Sequence, residues 1–196
     1  MKRQSGRLVI ALALFLGACA TTRGLLALRH VRFDIDNVNR ITLAGVPVER
    51  IRRYEELGAM DAARLVAAAT RGEMPLEFDL HVGGENPAEN NTTARLVRMQ
   101  WTLLLNGTET INGLLDTNVA FPPGGRSVVR VPIRLDVLRF FRHNARDAFD
   151  LACGLANLGG CRPTEVQLRA LPTVDTPLGP IQYNEPIVIV RKTTGN

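Results

Sequence analysis

The stretch that decides the fold reads Val97-Arg98-Met99-Gln100-Trp101-Thr102-Leu103-Leu104-Leu105, followed at once by Asn106-Gly107. Val97, Met99, Trp101, Leu103 and Leu105 alternate with Arg98, Gln100, Thr102 and Leu104, which predicts a strand with one buried face. Asn-Gly is the dipeptide that best tolerates two successive positive φ angles, so a two-residue hairpin turn is expected there. Thr108 to Leu115 should be the returning strand.

The same period of two recurs on both sides. Upstream, Leu76, Phe78, Leu80 and Val82 alternate with Glu77, Asp79 and His81, and Gly83-Gly84-Glu85-Asn86-Pro87 breaks the run. Gly83-Gly84-Glu85 reads as looser than a straight strand, a candidate bulge. Nearer the N-terminus, Val31, Phe33 and Ile35 predict a strand, Asp36-Asn37-Val38-Asn39 a turn, and Ile41 to Val48 a second extended segment. Downstream, Pro122-Pro123-Gly124-Gly125 precedes Val129, Val131, Ile133 and Leu135. Val166, Leu168 and Leu171 come before Pro172, and Ile187 to Val190 make a last run.

Twice the period changes. Tyr54 to Arg71 is rich in Ala, Leu, Glu and Arg, with Leu57, Met60, Arg64 and Ala68 along one side and Leu65 and Val66 widening it. That is an amphipathic helix ended by Gly72. Val137, Phe140, Phe141, Ala148, Leu151 and Leu155 suit a second helical face running toward Gly159-Gly160, with Cys153 inside it. Repeated short strands with Gly, Pro and Asn turns predict a mostly-β fold. The expected architecture is an antiparallel immunoglobulin-like or fibronectin-like β-sandwich with two helical insertions.

The N-terminus carries a different signal. Lys2, Arg3 and Arg7 precede the apolar run Leu8 to Leu16, too short for a permanent membrane span, and Leu16-Gly17-Ala18-Cys19 closes it. This resembles a bacterial lipoprotein signal, cut before a cysteine that then receives diacylglycerol on its sulfur and an acyl chain on its amine. The other reading is an ordinary secretory signal with a chance cysteine. The resemblance implies residues 1–18 as signal, 19–28 as a lipidated tether and 29–192 as the folded domain. Ala20, a non-Asp residue after the cysteine, implies the outer membrane, facing the periplasm.

Removing that signal leaves 178 of the 196 residues, enough for one domain with a real core. It also leaves 21 basic against 19 acidic residues, so the basic balance is largely a targeting effect. Charges are interspersed and aromatics few, which argues against a nucleic-acid partner. With Cys19 lipidated, Cys153 and Cys161 form an even pair in an oxidising compartment. A bridge across the Gly-rich loop between them is favoured over two buried thiols.

Several segments, in order, resemble the late embryogenesis abundant type 2 domain, also called the water-stress and hypersensitive-response domain. Leu80-His81-Val82-Gly83-Gly84-Glu85-Asn86-Pro87 is similar to its strand-plus-Asn-Pro signature. Asn106-Gly107 with Gly113-Leu114-Leu115 resembles its hairpin, and Phe121-Pro122-Pro123-Gly124-Gly125 the loop before Val128 to Ile133. Thr176-Pro177-Leu178-Gly179-Pro180-Ile181 is similar to its closing strand approach. On this resemblance Asn86, Pro87, Asn106, Gly107, Pro177 and Gly179 are structural positions. It implies a non-enzymatic module for envelope tolerance of desiccation or other stress, in contact with proteins or lipids.

No catalytic or metal-binding residues are assigned, and no cofactor is implied. His30, His81 and His143 have no metal-ligand spacing, and Cys153 and Cys161 have no adjacent histidine. Ser127, the one serine after the signal, lacks a strand–turn–helix G-x-S-x-G setting. Asp34 with Asp36, Glu55 with Glu56, and Glu85 with Glu89 are explained by solvation. One rival function is a carrier whose groove would be lined by Phe140, Phe141, Phe149 and Leu155, side chains more readily placed in a core. Another is an assembly factor that binds an envelope protein through a sheet edge.

Overall fold

Two antiparallel sheets face each other in the computed structural model, which describes residues 27–49, 51–141, 145–156 and 161–192. The strands are β1 (Arg32–Leu43), β2 (Val46–Pro47), β3 (Pro75–Glu85), β4 (Ala94–Leu105), β5 (Thr108–Phe121), β6 (Arg126–Asp136), β7 (Glu165–Val174), β8 (Ile181–Gln182) and β9 (Ile187–Lys192). One sheet runs β2-β1-β3-β6. The other runs β5-β4-β7, with β8 and β9 both paired to the far side of β7. Setting the three long strands β1-β3-β6 against the four of β5-β4-β7-β9 makes a seven-stranded immunoglobulin-like sandwich, to which β2 and β8 add short edge pairings. The fold class is mostly β, as the alternating patterns predict.

The apolar phase of each long strand turns inward. Leu76, Phe78, Leu80 and Val82 of β3 and Val129, Val131, Ile133 and Leu135 of β6 meet Met99, Trp101, Leu103 and Leu105 of β4. Val166, Leu168 and Ala170 of β7 complete that layer. Each fully buried Leu, Val or Phe contributes about 1.5–3 kcal/mol of transfer free energy, so this interface dominates stability.

The structure revises four local expectations. The Asp36–Asn39 segment is no turn: β1 passes straight through it, and two register shifts against β3 absorb the extra residues, at Asp36 and around Arg40. Arg40 takes φ 55°, and Glu49 Oε1 accepts the displaced Ile41 amide at 3.1 Å. Gly83-Gly84-Glu85 is no bulge either, since β3 pairs in unbroken register with β6 as far as Glu85.

The expected helix from Tyr54 is divided into a 3-10 turn (Tyr54–Glu56) and α1 (Ala59–Arg71), parted at Leu57-Gly58. Leu65 and Ala68 face the core, while Met60 and Val66 are exposed. Gly72 closes α1 with a left-handed φ of 74°, donating its amide to the helix end. The helical face beginning at Val137 is likewise divided, into α2 (Val137–Phe140) and α3 (Ala145–Leu155). Asp136 caps α2 by accepting from Leu138 N and also holds Met74 N at 2.9 Å. Pro172 lies within β7.

Both helical excursions leave the sandwich at one pole, where β1 and β6 end and β3 and β7 begin. The opposite pole gathers the Asn86-Pro87 loop, the Pro122–Gly125 loop and Ala27. The two ends therefore differ in chemistry.

Candidate functional site

The residues singled out by the resemblance make structural contacts. Asn86 is wholly buried; its Nδ2 donates to Phe121 O at 2.8 Å and Thr92 O at 3.1 Å, and its Oδ1 accepts from Asn90 Nδ2 at 2.7 Å. Its backbone amide donates to Gly125 O. Asn90 Nδ2 also reaches Ala27 O at 2.8 Å, so one amide pair knots two loops to the first described residues. Pro87, which has no amide to donate, follows where the chain leaves the sheet.

Asn106 and Gly107 both take positive φ, 49° and 76°, and form the hairpin turn between β4 and β5. The Asn106 side chain accepts from Glu165 N at 2.8 Å, locking that turn to the start of β7. Pro177 and Gly179 sit in a reverse turn held by Thr176, whose hydroxyl donates to Gly179 O at 2.7 Å. Gly179 has φ 103°. Cys19 and His143 lie outside the described residues.

At the helical pole a disulfide joins Cys153 to Cys161, with Cα atoms 5.8 Å apart. Cys161 Sγ lies 3.1 Å from the Arg52 carbonyl oxygen, so the bridge seats the segment before the 3-10 turn. Tyr54 stacks edge-on to Phe149 at 5.7 Å, and Glu55 pairs with Arg146. Arg52, Arg53, Glu55, Arg146, Asp150 and Arg162 surround an open polar cleft of about 260 Å³. Burial pushes the Asp150 carboxyl up, against the opposing pull of Arg162 and Arg146. The sequence reading missed this cluster, whose members are about a hundred residues apart.

The aromatic groove does not form. Phe149 and Leu155 are core residues, and Phe140 and Phe141 pack partly buried against that core. The apolar gap between the sheets, lined by residues such as Phe33, Met99 and Ile189, holds about 20 Å³. That is room for about one water and far too little for an acyl chain.

Asp34 and Asp36 jointly bind Arg126, whose guanidinium crosses over Gly83. Ser127 Oγ donates to Ala120 O at 2.6 Å, stitching β6 to β5. His30 is exposed, and His81 is half-buried with Nε2 unpartnered among the described residues. Among the described residues no group of His, Cys, Asp or Glu comes together as a metal site.

A wider concavity lies elsewhere, on the outer face of the β5-β4-β7 sheet. It is an open trough of about 630 Å³ lined by Gln100, Thr102, Asn112, Leu114, Arg169 and Leu171, with Asn184 and Pro186 at one side.

No protein-family model and no curated protein matches the chain. Solved structures similar to it include a protein from Archaeoglobus fulgidus, at 18% identity over 62% of this chain and 87% of that one, TM-score 0.35. A candidate late embryogenesis abundant (LEA) protein, At2g46140.1, is similar at 16% identity over 96% of this chain and 84% of that one, TM-score 0.40. AT1g01470 from Arabidopsis thaliana shares 16% identity over 62% and 72% respectively, TM-score 0.39.

Proposed function

We propose that this chain is a non-enzymatic, lipid-anchored β-sandwich module of the late embryogenesis abundant type 2 kind. On this reading it stands on the outer membrane, faces the periplasm and serves envelope tolerance of desiccation or other stress. The observation that carries the anchored geometry is the seat of Ala27 and Leu28. Both are buried, and Ala27 O is held by Asn90. With Ala27 and Leu28 seated in the core, the rest of the expected 19–28 tether, residues 19–26, spans at most about 27 Å when fully extended. Lipid on Cys19 would therefore keep the Asn86-Pro87 pole near the bilayer and turn the helical pole away. Two acyl signals suffice to hold a folded domain on a membrane.

Fractionating cells that express the full chain or its Cys19→Ser variant tests the anchor. The variant should accumulate as unprocessed precursor or leave the membrane fraction. Full processing with undiminished membrane association would overturn the anchor. The protective role is read separately, as survival of drying by a deletion strain. Restoration by the wild-type chain supports it, and survival of the deletion strain equal to its parent removes it.

A further inference from the structure

We propose that the trough on the outer face of the β5-β4-β7 sheet binds a neutral, polyhydroxylated chain, an oligosaccharide segment. This assignment is independent of the anchoring described above. Two adjacent ladder rungs build the floor. Gln100 stands between Leu114 and Leu171, and Thr102 stands between Asn112 and Arg169. Strands lie about 4.8 Å apart and alternate residues about 6.7 Å apart, so the rungs spread over a surface of roughly 10 by 7 Å.

Concavity has a local cause. β5 carries an extra residue against β4 on each side of the rungs, between Asn112 and Glu109 and between Val119 and Asp116. Such bulges increase twist and curl an edge strand over its neighbour. Thr110 Oγ1 covers the first interruption by donating to Leu103 O at 2.9 Å. Gly113 lets β5 lie close over the Trp101 indole, since a Cβ there would stand 2.7 Å from Cε2.

The lining selects the ligand. Gln100, Thr102 and Asn112 point donors and acceptors into the trough with no side-chain hydrogen bond among the described residues, and Asn184 does so from its rim. Leu114 is 56% exposed, and with Leu171 and Pro186 it offers apolar patches to the C–H faces of a sugar ring. The cation of the lining, Arg169, faces Glu109 at 3.4 Å, which removes the net charge that a phosphate or carboxylate ligand would need. Neutral amides and hydroxyls interleaved with small apolar surfaces match a polyol in both respects.

The test is calorimetric titration of the full chain, in a detergent without a sugar headgroup, with cellohexaose, chitohexaose and maltohexaose. Saturable binding to at least one is expected, insensitive to added salt. Gln100→Ala and Asn112→Ala should each weaken it about five-fold or more, with unchanged thermal melts because both side chains are exposed. Failure to bind any of the three sugars overturns the proposal, as does binding that ignores both variants or collapses in salt. Sedimentation of the same proteins distinguishes self-association: a dimer abolished by Asn112→Ala would assign the trough to a second copy and overturn the sugar site.

Discussion

Asn86 Nδ2 donates to the main-chain oxygen of Phe121 at 2.8 Å, joining residues 35 positions apart through a side chain wholly removed from solvent. Because the same amide also holds Thr92 O and accepts from Asn90, truncation strands three partners together, the Phe121 carbonyl in a buried bond and the other two in half-buried ones. Asn86→Ala should destabilise by about 2–4 kcal/mol, since each unsatisfied buried group costs about 1–3 kcal/mol before relaxation. Asn86→Asp should do no better, because it keeps the acceptor but turns a carboxylate toward two carbonyls. Urea unfolding midpoints check both. A loss below about 0.5 kcal/mol for Asn86→Ala would mean that the knot is solvated and contributes little.

Neighbouring glycines of β3 should respond unequally. A Cβ on Gly84 meets the Phe33 ring at 2.9 Å and the Phe121 ring on its other side, inside an edge-to-face pair with centroids 5.6 Å apart. The Phe121 ring is wholly buried and Phe33 packs against the same core, so Gly84→Ala should cost about 1–3 kcal/mol by overpacking. At Gly83 the obstacle is the end of the Arg126 side chain, which can swing toward water. Only the pairs of Arg126 with Asp34 and Asp36 are then weakened, and such solvent-screened surface pairs contribute little, so Gly83→Ala should cost less than Gly84→Ala. Thermal melts of the two variants should rank in that order; the reverse order would refute the packing account.

The bridge between Cys153 and Cys161 closes a loop with a sequence separation of 8, for which chain-entropy arguments give about 2–3 kcal/mol. Replacing both cysteines by alanine should lower the melting temperature by about 5–10 °C. The oxidised wild type should weigh two hydrogens less than its reduced form. Equal melts for the wild type and the double variant would show that the helical pole is held by Tyr54, Phe149 and the Glu55–Arg146 pair instead.

Strand positions were largely legible because burial on one face imposes a period of two, and Leu76 to Val82 and Val97 to Leu105 obey it. The turn at Asn106-Gly107 was legible for a local reason, the positive φ of both residues. What escaped was set by distant partners. Asp36 to Asn39 have turn-forming composition, yet β3 pairs with that segment and bulges absorb the mismatch. Gly83 and Gly84 look like a break, but their missing side chains make room for Arg126 on one face and two phenylalanines on the other. The trough has no linear signature at all, since its residues come from the polar phase of three strands.

Tyr183 offers a pH-dependent test at the pole that carries the Asn86-Pro87 loop. Burial pushes its phenol up to about 12 from an ordinary value of 10.0, against the lowering influence of Arg29. The Arg29 guanidinium lies 5.9 Å from the ring centroid, so Tyr183 packs on the first described turn of the chain. A phenol whose folded value is raised holds its proton longer when folded than when unfolded. Stability is therefore unaffected by this group below about pH 9 and falls as pH rises from 10 toward 12, where the unfolded chain ionises first. Tyr183→Phe should remove that alkaline loss while retaining the ring contact, so its stability profile should stay flatter through the same window. Spectrophotometric titration should show one phenol ionising about two pH units late, and loss of that late step in Tyr183→Phe assigns it. If instead both profiles fall together and no late phenol is seen, the ring is solvated and the first turn does not rest on it.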